Sequence, residues 1–365
     1  MCGATMQSVR RGFIIGAVAV ALVALLPEDV RYTLKCYAAL PLIGNGGIKS
    51  SLQFIDGHYY MPSFVNPPSQ IEIARNYQWG ADDLVVATWP KSGTHFTLLT
   101  ALLVLKRGRL PPKTDLHSLC YSPEFASDNG ARPLDEPREQ YPTHPRVVVT
   151  HMPQHHIYYS KSAKYISVLR DPVATVESAR RMELLMLGPI LTPTLEDFLQ
   201  QGHLTADGGW LDNVLRWWGV RERPNVLILR YESMVANPRE TAERLASYTG
   251  VRLSADEVER VVERMSLKWS LENIDPYHYQ AITPFSPPDR KLATRSGFYV
   301  NASAMPSWAK RMNATQRAEL RRGAHGKIQA IMKLTAWTGD RSKKALDAES
   351  FFEAHREYFC ADSVC

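Results

Sequence analysis

Apolar positions along this chain fall into short unbroken runs, separated by helix-like segments and by long stretches rich in proline and glycine. Residues 84–88 read Leu-Val-Val-Ala-Thr, 147–150 Val-Val-Val-Thr, 165–169 Tyr-Ile-Ser-Val-Leu and 226–229 Val-Leu-Ile-Leu. None of the four alternates apolar with polar, so each is expected to be a strand buried on both faces. Helix-like segments follow three of them, over 94–106, 173–182 and 238–248. Strands buried on both faces and joined by helices predict a three-layer α/β/α fold around a central parallel sheet. In such sheets ligands bind at the carboxyl ends of the strands.

The stretches between these elements set the expected organisation. Residues 1–40 form an N-terminal segment, 41–80 an irregular approach rich in Gly, Pro, Ser and aromatics, 81–340 the catalytic domain and 341–365 a tail. Residues 107–145 and 272–307 read as long loops, and loops of that length in a compact enzyme serve as lids or binding loops. Tyr121, Phe125, Tyr141, Tyr277, Tyr279 and Phe285 in these loops predict an apolar or aromatic acceptor pocket, although sugar rings stack on aromatics as well.

Composition narrows the reading only a little. The 365 residues are 45% hydrophobic with a net charge of +6 and a pI of about 9.0. The positive charge is spread along the chain, so no nucleic-acid partner is expected. The five cysteines show neither a Cys-x-x-Cys pair nor zinc-ligand spacing. Cys360 and Cys365 form a local disulfide or remain free thiols. Arg10 and Arg11 precede an apolar run over 12–26, which is shorter than the ~20 residues of a full membrane span. Three readings of that run stay open: a signal anchor, a cleaved signal and a greasy helix of a soluble protein. The anchor reading places a single-pass protein with a lumenal catalytic domain, which the sequons at Asn301 and Asn313 would suit. The alternative is a cytoplasmic protein.

The chemistry concentrates at the expected strand ends. Pro90-Lys91-Ser92-Gly93-Thr94-His95-Phe96 leaves the first strand and opens a helix. The first turn of a helix offers unpaired N–H groups and the positive end of its dipole. Gly93 allows close backbone approach, Lys91 adds charge, and Ser92 and Thr94 add hydroxyls, so the segment predicts a phosphate cradle. It is not an ATP-binding P-loop, because the glycine follows the lysine and Ala87 stands where the first glycine belongs. No strand ends in a lone aspartate placed for magnesium, and no metal is expected. Arg170-Asp171-Pro172 ends the third strand, with Ser178 eight residues after Arg170. An arginine there can fork onto a phosphate. Thr150-His151-Met152-Pro153 ends the second strand, and His151 is a candidate general base.

Pro90 to Thr94, with the order of the motifs after it, resembles the 5′-phosphosulfate loop of the cytosolic-type sulfotransferases, over about 84–320. The resemblance implies a P-loop NTPase-like sulfotransferase fold and 3′-phosphoadenosine 5′-phosphosulfate (PAPS) as co-substrate. It implies that Lys91 meets the sulfuryl or bridging oxygens, that Phe96 stacks on adenine, that Arg170 and Ser178 grip the 3′-phosphate and that His151 is the base. His95 stands where threonine is usual, and Val149 where a lysine is common. Tyr231 of Arg230-Tyr231-Glu232 matches a tyrosine near the adenine. Arg295-Ser296-Gly297 resembles a 3′-phosphate loop in which Ser296 replaces a lysine, leaving Arg295 and Gly297 as the contacts. Ser266-Leu267 matches a Ser-Phe segment without its aromatic ring. The expected reaction is in-line sulfuryl transfer to a hydroxyl or amine of a small-molecule or glycan acceptor. The competing readings are a kinase of related fold and an inactive, membrane-associated nucleotide-binding protein. Retention of both Lys91 and His151 argues against the last, since a scaffold needs neither.

Overall fold

A computed structural model describes residues 53–60, 66–124, 132–191, 209–274, 313–338 and 343–360. A hairpin of β1 (Gln53–Ile55) and β2 (His58–Tyr60) and helix α1 (Pro68–Asn76) precede the main sheet. The main sheet contains β3 (Asp83–Thr88), β4 (Cys120–Tyr121), β5 (Arg146–Thr150), β6 (Lys164–Leu169) and β7 (Val226–Arg230). Its spatial order is β4-β5-β3-β6-β7, and every pairing is parallel. The four long strands match the expected runs to within one residue at either end. All six residues of β3 and all five of β5 are buried, which is why their sequence shows no polar alternation.

Helix α2 (Thr94–Leu105) follows β3, and α3 (Pro172–Leu191) follows β6. Next come α4 (Trp210–Trp218), α5 (Tyr231–Ala236), α6 (Pro238–Thr249), α7 (Ala255–Arg264) and α8 (Leu267–Asn273). Helices α9 (Ala314–Thr338), α10 (Lys343–Ala354) and α11 (Glu357–Cys360) complete the described chain. Along β3, Leu84 and Val86 point into a cluster with Leu98, Leu102 and Leu245, on the side of α2 and α6. Val85 and Ala87 point the other way, to Ile71, Trp217 and Tyr165. The sheet is thus covered on both faces, a three-layer α/β/α sandwich.

Two stretches read as irregular carry structure. The approach over 41–80 includes the hairpin and α1, and the tail over 341–365 includes α10 and α11, whose Phe351, Phe352, Tyr358 and Phe359 are buried with Leu169, Trp210 and Ile328. Caps fix helix starts elsewhere in the chain. Ser254 and Glu257 form a reciprocal capping box at the start of α7. Asn313, half of one sequon, caps α9: its Oδ1 accepts from the Gln316 N–H at 2.9 Å. The apolar run over 12–26, the sequon at Asn301 and Cys365 lie outside the described residues. Among the described residues no helix is long and apolar enough to cross a membrane.

Strand order places the site. The chain goes from central β3 to β4 and β5 on one side, then crosses to β6 and β7 on the other. The carboxyl ends of β3, β5 and β6 therefore flank the switch point, where an open α/β sheet has its ligand crevice.

Candidate active site

The loop between β3 and α2 is wound by two left-handed residues. Lys91 has φ +68° and Gly93 φ +107°. Ser92 N–H donates to the Trp89 carbonyl at 3.0 Å, closing the turn, and the Thr88 and Thr94 hydroxyls pair at 2.6 Å across its neck. The first amides of α2 face the concavity that results. Glycine at 93 is required twice, by its φ and by Tyr231: a Cβ there would lie 2.5 Å from Tyr231 Cδ2. Ser92 is buried, and among the described residues its Oγ has no hydrogen-bond partner.

His151 follows β5 directly, beside the β3 end. Its Nδ1 lies 2.9 Å from the Thr88 carbonyl oxygen. A carbonyl only accepts, so Nδ1 carries the proton, and in the neutral ring Nε2 carries the lone pair. Burial, reinforced by the Lys91 ammonium, holds this imidazole down to about 4, with the bond to Thr88 opposing. The ordinary value near 6.5 is replaced by one that keeps the ring neutral at physiological pH. Lys91 is itself lowered to about 8, by burial first and then by Arg170 and Arg181. The Lys91 charge thus reaches His151 across the switch point.

Arg170 stands at the end of β6, as expected. One of its terminal nitrogens donates to the Lys91 carbonyl at 2.7 Å, and its guanidinium lies 4.3 Å over the Tyr231 ring. Its Nε is buried without a partner among the described residues. Tyr231 meets Phe96 edge to face at 6.0 Å. Ser178 is buried on α3, two turns beyond Pro172. The structure therefore brings Lys91, Ser92, Gly93, Phe96, Arg170 and Tyr231 together around one loop. His95, at the second position of α2, meets His117 with their Nε2 atoms 3.1 Å apart.

Several expectations fall elsewhere. Arg295, Gly297, Phe125, Tyr277, Tyr279 and Phe285 lie outside the described residues. Ser266 caps α8, accepting from Trp269 N–H at 3.2 Å, and Leu267 is exposed. Tyr121 and Tyr141, expected in an acceptor pocket, pack around a buried cation. Both rings pack 4.8 Å from the buried Arg146 guanidinium, which pairs with Asp83 at 2.5 Å at the amino end of the strands. Their role is to shield a buried ion pair.

Two neighbours of the site escaped the sequence reading. Glu124 is 1% exposed, and its Oε1 accepts from the His151 backbone N–H at 2.6 Å. Burial lifts its carboxyl to about 7, opposed by the bonds from His151 and Thr150, and among the described residues its Oε2 has no partner. Arg181 adds charge near Lys91 from α3. Neither stands in a motif. The only sequence signal for Glu124 is a carboxylate in an otherwise apolar Cys-Tyr-Ser-Pro-Glu-Phe segment.

Comparison with known proteins agrees with this geometry. The family model described as Sulfotransferase domain matches residues 81–328. A 3-beta-hydroxysteroid sulfotransferase of Cavia porcellus is 26% identical over 198 residues, covering 53% of this chain and 67% of the relative. Sulfotransferase 1B1 of Mus musculus is 26% identical over 232 residues, covering 62% and 76%. Mouse sulfotransferase SULT7A1, solved with PAP, superposes with a TM-score of 0.55 at 19% identity, over 76% of this chain and 95% of that one. Retinol dehydratase, solved with androsterone and inactive cofactor PAP, gives 0.59 at 16%, over 84% and 95%. With the domain model spanning most of the chain and the loop, sheet order and strand-end residues in place, the chain belongs to the sulfotransferase domain family.

Proposed function

We propose that this protein transfers a sulfuryl group from PAPS to a hydroxyl, or an amine, of a small-molecule acceptor, with His151 as general base. The observation that carries the reading is the fixed tautomer of His151. Its Nδ1–H is committed to the Thr88 carbonyl, so Nε2 is the basic atom, in a ring that burial keeps neutral. As the acceptor oxygen bonds to sulfur, its proton passes to Nε2 and the bond from sulfur to the 5′-phosphate oxygen breaks. Negative charge then grows on that oxygen. Lys91 and the first amides of α2 are the groups available to stabilise it. The buried orphan atoms fit a donor with two phosphates: Ser92 Oγ belongs to the 5′ cradle and Arg170 Nε to the 3′ site. Solved relatives bound to PAP support the donor, and hydroxysteroid sulfotransferases among the relatives support a small alcohol as acceptor.

The test is a panel of hydroxylated and amine acceptors with sulfur-labelled PAPS. Label should move to at least one small alcohol or phenol in the native protein. His151→Ala should reduce that transfer while PAP affinity is kept. Undiminished transfer in His151→Ala would refute the base.

A further inference from the structure

The family match ends at residue 328, yet α10 and α11 beyond it touch the nucleotide side of the sheet. The contacts form a closed ring. Asp171 N–H donates to Glu232 Oε1 at 2.9 Å, joining the ends of β6 and β7. The Tyr358 hydroxyl, from α11, donates to Glu232 Oε2 at 2.7 Å. Arg321, from α9, donates to the Tyr358 carbonyl at 2.7 Å and pairs with Asp171 Oδ2 at 2.7 Å. Asp171 also caps α3 by accepting from Ala174 N–H at 2.8 Å.

The ring sits one residue from Arg170, the proposed 3′-phosphate ligand, and one residue from Tyr231 beneath it. Asp171 follows Arg170, and Glu232 follows Tyr231. These two neighbours are the pair whose guanidinium and ring stack at 4.3 Å. Tyr358 is 2% exposed and fixed by buried Phe351 and Phe359, so it cannot swing away without breaking that cluster. Arg230 pairs with Glu357 of the same helix, donates to the Tyr358 hydroxyl at 3.4 Å and lies 5.1 Å over its ring.

We propose that the C-terminal helices complete the nucleotide site, with Tyr358 a positioning residue that acts through Glu232 to hold Arg170 on Tyr231 for the 3′-phosphate. The inference rests on the reading of Arg170 as a 3′-phosphate ligand. A guanidinium held ready by stacking and backbone bonds loses less freedom on binding, so loosening its support weakens affinity for the group it grips. A 5′-phosphate at the α2 cradle meets this support only indirectly, through the Arg170 bond to the Lys91 carbonyl.

The experiment compares binding of adenosine 3′,5′-bisphosphate and AMP by calorimetry to the full chain and to Tyr358→Phe, Glu232→Gln and Arg170→Ala. The native chain should prefer the bisphosphate, and Arg170→Ala should erase that preference. Tyr358→Phe keeps the buried ring and removes one hydroxyl. It should weaken bisphosphate binding by about 3–10-fold and AMP binding much less, since only part of the hydrogen bond's free energy is passed on to Arg170. Glu232→Gln should act in the same direction. Equal weakening of both ligands, an unchanged ratio, or failure of both variants to fold would each overturn the proposal. A preference that survives Arg170→Ala would instead overturn the two-phosphate reading on which it rests.

Discussion

Gly93→Ala probes the narrowest point of the phosphate loop. The new Cβ would sit 2.5 Å from Tyr231 Cδ2 and 3.2 Å from Cε2, well inside contact distance. Two costs follow, and they separate. A side chain at φ +107° strains the backbone by about 1–3 kcal/mol whatever stands nearby. Displacing the Tyr231 ring adds about 1–3 kcal/mol, as overpacking does in cores. The total is about 2–6 kcal/mol, of which only the second part depends on Tyr231. Urea unfolding of the native chain, Gly93→Ala, Tyr231→Ala and the double variant measures both. The double variant should be more stable than the sum of the singles predicts, by about 1–3 kcal/mol. Because the ring carries Arg170, Gly93→Ala should also lower affinity for the bisphosphate more than for AMP. Additivity to within about 0.5 kcal/mol would refute the steric argument, since independent sites add to that precision.

Other outcomes follow from the titrating groups. Lys91 sits at about 8, so at pH 8 roughly half of it is charged, and a bound phosphate should draw in about half a proton. Calorimetry of PAP in two buffers of different ionisation enthalpy reads that uptake, and Lys91→Met should abolish it. His151→Ala should lower kcat about 10²–10⁴-fold with nucleotide affinity kept. With the ring at about 4, its acid limb should lie below pH 5, and a limb near 6.5 that vanishes in His151→Ala would contradict the buried neutral imidazole. Glu124 is raised from 4.5 to about 7, so the folded state prefers its protonated form. Its contribution to stability is present below pH 4.5 and is lost as pH rises through 7, on the order of 3 kcal/mol in all. Unfolding at pH 4.5 and 8.5 should show that loss in the native chain and not in Glu124→Gln.

The central strands were legible because burial on both faces leaves an unbroken apolar run, as in Val147 to Val149. Strand β4, two residues long, leaves no run at all and exists only through its pairing with β5. The phosphate loop was legible because its chemistry is local: lysine, serine, glycine and a helix start lie within five residues. Glu124 was not, because it reaches His151 across 27 positions through the fold. Tyr121 shows the same limit. Its ring type was visible, but the Arg146 guanidinium 4.8 Å from it lies on another strand. The C-terminal helices hid behind a short, charged sequence whose apolar residues, such as Phe351 and Phe359, take meaning only against Leu169.

The partner of His151 Nδ1 is a main-chain oxygen. Many catalytic histidines are oriented by a carboxylate, which also strengthens them as bases. A peptide carbonyl carries no net charge, does not titrate and is present whatever residue occupies position 88. Drift at that position can alter loop packing but cannot delete the atom that selects the tautomer. The resulting base is weak and stays unprotonated over a wide range, so its readiness would be the same in a neutral compartment and in a mildly acidic one.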